Sequence, residues 1–221
     1  MNSSRGRGGY RRPGAPGFVR PEDDPPGTSR LFIAVPVADE VRASVGELME
    51  TVAGASIDER AYGQPRWVRV DGLHLTLRFL GATPDERQGD VAAAVTAASA
   101  GVGPFRVALS GGGCFPNPIQ PRVLWMGIVE GVEPLAAMVR RLDEALLPLG
   151  WPPETRPFAP HLTLARTDGV PGADEKARRL VEAARGISLS WEAGSIVLYR
   201  SVLGRGPARY EALATASLTG S

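Results

Sequence analysis

Two histidines occur in this chain of 221 residues, and each opens the same four letters: His74-Leu75-Thr76-Leu77 and His161-Leu162-Thr163-Leu164, 87 positions apart. Given one such site, chance agreement of the next three letters is on the order of one in a thousand at usual residue frequencies. Side chains alternate along a β-strand, so His74 shares a face with Thr76 while Leu75 and Leu77 take the other. His161 and Thr163 stand in the same relation to Leu162 and Leu164. Each tetrapeptide therefore roots two leucines in a core and presents an imidazole and a hydroxyl on the opposite surface. The plainer reading, half-exposed strand histidines beside hydroxyls, suits a single His-x-Thr. The duplication, with no other histidine in the chain, argues against it.

Two imidazoles titrating near neutrality suit a reaction that needs a general base and a general acid together. Phosphodiester hydrolysis fits: one histidine deprotonates the attacking water or hydroxyl, the other protonates the leaving oxygen, and hydroxyls with arginine hold the non-bridging oxygens. No cofactor is needed. Arginine supplies 24 of the 25 basic residues, the single lysine being Lys176, and its planar fork matches phosphate. Arg78 follows His74 by four, on the same alternation face. Arg166 follows His161 by five, formally on the opposite face unless the strand bends. Each reads either as a phosphate ligand or as the solvated end of a strand. A zinc site would lack ligands, since two histidines stand without His-Glu-x-x-His or clustered Cys/His spacing. No Gly-x-Ser-x-Gly elbow and no Gly-rich loop ending in Lys-Ser/Thr points to a serine hydrolase or an NTPase.

The elements that must carry these residues come in a repeated order. Residues 1–28 hold Gly, Pro, Ser and Arg with scarcely a large apolar side chain, so a disordered leader is expected; its RGRGGYRR stretch also suits an RNA contact. The folded body is expected over 29–221, opening with the buried strand RLFIAVPV. Asp39 caps a helix over about 39–53 with Val41, Val45, Leu48, Met49 and Val52 at helical spacing. RWVRV and HLTLRFLG read as strands. Thr83 and Pro84, as N-cap and first helical residue, start a helix to about Ala100. FRVALS and RVLWMGIV are strands, and GGGCFPNPIQP between them reads as a loop. The second half repeats the pattern: a helix over about 133–147, the HLTLAR strand, a helix over about 173–185, then ISLSW, SIVLYRS and RYEALATAS. An order repeated around a shared motif predicts an α+β duplicated two-lobed body, its antiparallel sheets facing across a central groove with helices outside. The groove would hold His74, Thr76, His161 and Thr163 on its floor.

Composition bounds the rest. Hydrophobic residues make up 43% and charged residues 22%, with a net charge of +1, which excludes a wholly disordered chain and a large uniform positive field for nucleic acid. Phosphate binding must be local. Cys114 alone excludes an intramolecular disulfide, suits a reducing compartment and reads as a small buried hydrophobe. No apolar run of membrane-spanning length occurs, so no membrane partner and a cytoplasmic location are expected.

The chain resembles the two-histidine (2H) phosphoesterases, and within them the RNA 2′,3′-cyclic phosphodiesterases, also called bacterial 2′-5′ RNA ligases. The segments that carry the resemblance are RLFIAV, RWVRVDGLHLTLRFLG, CFPNPIQPRVLWMGI, RPFAPHLTLAR and VLYRSVLGRGPARYEAL. It implies metal-independent opening of a 2′,3′-cyclic phosphate at an RNA end to a 2′-phosphate. His161 would be the proton acceptor that activates water and His74 the proton donor to the departing 3′ oxygen, with Thr76, Thr163, Arg166 and Arg78 on the phosphate. Arg78 stands where the family often has lysine. Phe79 is placed by alternation with the core leucines, the alternative being a stack on a base. The expected partner is an RNA or oligonucleotide with a cyclic phosphate end, bound by a monomer. Reversible 2′-5′ ligation uses the same groups in reverse, and a non-catalytic RNA-end binding module is the rival from another class. The Arg/Gly/Pro leader departs from the family pattern.

Overall fold

The computed structural model describes residues 24–54, 64–167, 169–202 and 207–220. Most of the expected leader, residues 1–23, lies outside the described residues. Strand β1 (Thr28–Pro36) opens the body, followed by α1 (Asp39–Ala53), β2 (Arg66–Trp67), β3 (His74–Pro84), α2 (Gln88–Ser99), β4 (Phe105–Phe115) and β5 (Val123–Glu130). The remaining elements are α3 (Val132–Leu146), β6 (His161–Arg166), α4 (Ala173–Ala183), β7 (Ser188–Ala193), β8 (Ser195–Val202) and β9 (Arg209–Ser217). All pairings are antiparallel, in a four-stranded sheet ordered β3-β1-β8-β9 and a five-stranded sheet ordered β2-β6-β5-β4-β7. The α+β two-lobed expectation therefore holds.

The duplication is visible in both sheets. β3 beside β1 corresponds to β6 beside β5, so each His-Leu-Thr-Leu strand neighbours the first strand of its own repeat. The helices pair equivalently, α2 against α3 and α1 against α4. Arg141 of α3 donates to the carbonyls of Ala98 and Ala100 at the end of α2, each at 2.6 Å. Lys176 of α4 donates to Ala53 O at the end of α1, also at 2.6 Å. Both cations satisfy C-terminal carbonyls that the helices leave without partners. One core runs through the molecule, joining Leu31, Ile33 and Val35 of β1 and Leu75 and Leu77 of β3 to Leu162 and Leu164 of β6 and the apolar stripes of the helices.

Five expectations change. Asp39 does not cap α1: it is the first residue inside the helix, Ala38 holds the cap position, and no side chain bonds there. The lobes are not the two halves of the chain, because β4 leaves the first half for the five-stranded sheet while β8 and β9 return to complete the other. RWVRV yields only the short β2, which pairs with β6 rather than with its neighbour β3. Thr83 and Pro84 do not start α2. They extend β3, opposite Ser29 and Thr28 of β1, and the helix begins at Gln88 after a 3₁₀ turn. Gly111–Phe115 belongs to β4 rather than to a loop. Its glycines are there for space: a β-carbon on Gly112 would lie 2.7 Å from Leu180 Cγ of α4, and one on Gly113 would lie 2.4 Å from the Trp125 ring. Gly111, skipped in the pairing with β5, adopts φ +68°, a bulge conformation that glycine adopts freely.

Candidate active site

The motif strands β3 and β6 belong to different sheets and contact each other, which brings the two strands that carry the tetrapeptides together. Leu75, Leu77, Leu162 and Leu164 are buried in the common core, while His74, Thr76, His161 and Thr163 are only partly covered on the opposite faces. This is the alternation the tetrapeptides require.

Each imidazole is held in the same way. His74 Nδ1 lies 2.7 Å from the carbonyl of Gly72, and His161 Nδ1 lies 2.7 Å from the carbonyl of Ala159, in each case two residues upstream. A carbonyl only accepts, so Nδ1 carries the proton in both bonds. Nε2 of the neutral ring is then left with its lone pair, ready to take up or, once protonated, to give up a proton.

The rings are packed by aromatic neighbours. Around His74 stand Phe32 of β1 at 4.7 Å between centroids, Tyr210 of β9 edge-on at 4.9 Å and Tyr199 of β8 at 6.2 Å. Around His161 stand Phe115 of β4, edge-on at 5.1 Å, and Trp125 of β5 at 6.4 Å. Burial makes the charged form of each imidazole unfavourable. It brings the His74 pKa down to about 4, against the opposing hydrogen bond to Gly72, and it lowers that of His161. Burial also raises the phenols of Tyr199 and Tyr210. The Arg166 charge adds to the lowering at both histidines and acts on Tyr210 as well. One guanidinium thus bears on both imidazoles at once.

The two arginines expected at phosphate have different fates, and a pair of bulges explains both. In the β1–β3 register Ala34 faces Thr76 and Ile33 faces Arg78, so Leu77 is skipped. In the β5–β6 register Trp125 faces Thr163 and Leu124 faces Ala165, so Leu164 is skipped. Each extra residue reverses the alternation beyond it. Arg166 is thereby turned toward the His161 face, the bend its spacing required. Arg78 is turned away: 5% exposed, it sits 2.9 Å from Asp143 of α3 and 3.0 Å from Glu154, and it donates to Pro152 O. It does not join the site. Phe79, expected in the core, is instead 49% exposed and stacks on Phe32 at 5.8 Å.

Reasoning from sequence missed Gly72 and Ala159, whose carbonyls orient the imidazoles, and the aromatic neighbours from β1, β4, β5, β8 and β9. The carbonyl pair had a faint signal, since both occupy the second position before a motif. The aromatics had none, because strands distant in sequence supply them. Among the described residues, no three His, Cys, Asp or Glu side chains gather closely enough to hold a metal ion. No helix among them is long and apolar enough to cross a membrane.

The chain has relatives among known proteins. The model of the 2′-5′ RNA ligase superfamily matches residues 37–205, which includes both motifs. The chain belongs to this superfamily. A protein of Methanothermobacter thermautotrophicus named RNA 2′,3′-cyclic phosphodiesterase is 31% identical over 174 residues, covering 79% of this chain and 90% of that protein. One of the same name from Geobacillus stearothermophilus is 34% identical over 194 residues, or 87% of this chain; the match spans only 58% of that longer protein. A crystal structure of a Thermus thermophilus protein superposes with a TM-score of 0.67 at 31% identity, covering 86% of this chain and 98% of that one.

Proposed function

We propose that the chain is an RNA 2′,3′-cyclic phosphodiesterase that opens the cyclic phosphate to a 2′-phosphate. The observation that carries this reading is the pair of imidazoles, each held at Nδ1 by the carbonyl two residues upstream and both within the field of Arg166. The relatives' names supply the substrate class. In this reading His161 Nε2 takes a proton from water as its oxygen bonds to phosphorus. The P–O3′ bond breaks, and His74 Nε2 gives its proton to O3′. Thr76 and Thr163 donate to the non-bridging oxygens, and Arg166 offsets their charge.

Both histidines are neutral in the free protein at pH 7 by the lowering described above, so His74 must gain its proton around the substrate. A cyclic phosphodiester is an anion, and its arrival between the rings favours the imidazolium. The depressed pKa then makes His74 a ready donor. The reaction draws on no metal, and the reading includes a single two-lobed body that begins with β1 at Thr28, acting as a monomer in the cytoplasm.

The test is incubation with a short RNA ending in a 2′,3′-cyclic phosphate, in excess chelator, with 2′- and 3′-phosphate products resolved. Turnover to the 2′-phosphate is expected, with kcat/KM peaking below pH 6.5 because the free-enzyme pKa values of both imidazoles are lowered. His74→Ala and His161→Ala should each lose about 10²–10⁴-fold. Binding without turnover would replace this reading with the RNA-end binding module, and a double variant that still hydrolyses would remove the histidines from the mechanism.

A further inference from the structure

The two histidines are approached by segments braced very differently. His74 follows a 3₁₀ turn over Val70–Gly72, closed by Gly72 N–H to Arg69 O at 3.0 Å and Leu73 N–H to Val70 O at 3.3 Å. The carbonyl that orients His74 is therefore fixed by its own turn. The approach to His161 has no such turn. Among the described residues, none from 152 to 160 makes a backbone-to-backbone hydrogen bond, and none lies in a helix or strand. Yet this segment ends at Ala159, whose carbonyl must hold His161 as tightly as Gly72 holds His74.

What holds it comes from the opposite motif strand. Arg78, four residues after His74, donates to Pro152 O, faces Glu154 at 3.0 Å and is anchored from behind by Asp143 at 2.9 Å. Arg87, just beyond β3, donates to Leu149 O at 3.0 Å and lies 5.1 Å over the Trp151 ring. Two guanidinium groups from the β3 side thus grip the segment at Leu149, Trp151, Pro152 and Glu154. Beyond the grip, Pro153, Pro157 and Pro160 each fix one φ, and Phe158, next to Ala159, restrains the end nearest the histidine by packing on the core.

We propose that Arg78 is a positioning residue: it clamps the segment that orients His161 onto the strand that bears His74, and so sets the spacing of the two imidazoles. The inference rests on the reading that both imidazoles act on one phosphodiester. A buried ion pair such as Arg78–Asp143 is a poor source of net stability, so stability alone does not account for it. The guanidinium donates to Pro152 O and pairs by charge with Asp143 and Glu154, and its planar fork holds a fixed direction where an ammonium would act as a point charge. Misplacing a catalytic group by about 1 Å costs on the order of 10²-fold in rate, so the clamp matters through geometry without any contact to substrate.

The test compares Arg78→Met, Arg78→Lys and Glu154→Gln in the full chain. For each, kcat, KM, the pH–rate profile and the NMR titration of the His161 imidazole are measured. Arg78→Met should lower kcat about 10–100-fold with KM within about twofold, and should shift both the His161 resonances and its titration. Arg78→Lys should recover part of kcat. Glu154→Gln removes only the outer partner and should give a several-fold loss in the same direction, a readout that survives if Arg78→Met fails to fold. Wild-type kcat and unmoved His161 resonances in a folded Arg78→Met would overturn the proposal. A rise in KM alone would do so too, assigning Arg78 to phosphate. If the unmodified protein shows no turnover, the proposed function fails, and the His161 titration still decides whether the clamp orients the ring.

Discussion

Phe79 and Arg166 occupy equivalent positions, each five residues after a motif histidine and just beyond a bulge at the motif's last leucine. The duplication thus places an aromatic ring at this position of one motif strand and a guanidinium at the same position of the other. Arg166 contributes to the lowered pKa of both histidines, so Arg166→Met should raise both imidazole titrations in the free protein. It should also reduce kcat/KM by about 10²–10³-fold, as removal of a charge from a developing phosphorane does. NMR titration and steady-state kinetics check the two halves. Unmoved histidine titrations would take Arg166 out of the groove.

Phe79 is half exposed and stacked on Phe32, a ring with one face still available. Stacking of a base on an aromatic side chain is worth about 1–3 kcal/mol. Phe79→Ala should therefore raise KM for an oligonucleotide by about 5–150-fold, leave kcat near its starting value and move Tm little. A loss confined to Tm would return Phe79 to a structural role.

How far the groove was legible in sequence follows from these residues. The His-Leu-Thr-Leu repeat announced itself, because identical four-letter strings around the chain's two histidines prescribe both the buried leucines and the presented imidazoles. Alternation then failed at the fifth residue of each motif strand, since a bulge leaves no mark on the letters Leu77 and Leu164. That is why Arg78 and Phe79 exchanged faces, and why Arg166 needed a bend. The Gly-rich end of β4 was hidden for a different reason. Gly112 and Gly113 yield their space to Leu180 and Trp125, partners remote in sequence, whereas local propensity alone reads such a run as a loop. The carbonyl partners, Tyr210 and the clamp from Arg78 are likewise products of tertiary contact.

The His74 imidazole titrates at about 4 in the folded protein against 6.5 in an exposed reference, chiefly through burial. The unfolded chain therefore binds the proton first as pH falls. Stability contributed by keeping this ring neutral is fully present above about pH 6.5 and is lost progressively down to about pH 4. The amount is on the order of 2–3 kcal/mol, with His161 adding in the same direction. Between about pH 7 and pH 4.5 the urea midpoint should fall less far for His74→Leu than for the unmodified protein. An equal fall in both would mean the ring is not desolvated.

Gly72 is the residue on which the His74 side of the site turns. Its carbonyl holds Nδ1, and the Tyr210 ring that packs edge-on to His74 also lies close against this glycine. A β-carbon there would come 3.0 Å from Tyr210 Cδ2 and 3.1 Å from Cε2, tighter than ordinary van der Waals contact. Gly72→Ala should therefore push the phenol out or rotate the peptide, and either movement disturbs the imidazole. We expect a loss of about 1–3 kcal/mol in stability, typical of overpacking, together with a fall of roughly tenfold or more in kcat as His74 leaves its alignment. Trimming the partner should relieve the clash, so Gly72→Ala with Tyr210→Leu should be more stable than the sum of the single effects by about 1 kcal/mol. A urea-denaturation cycle over the four proteins measures that coupling, and strict additivity would show that the ring and the glycine do not constrain each other.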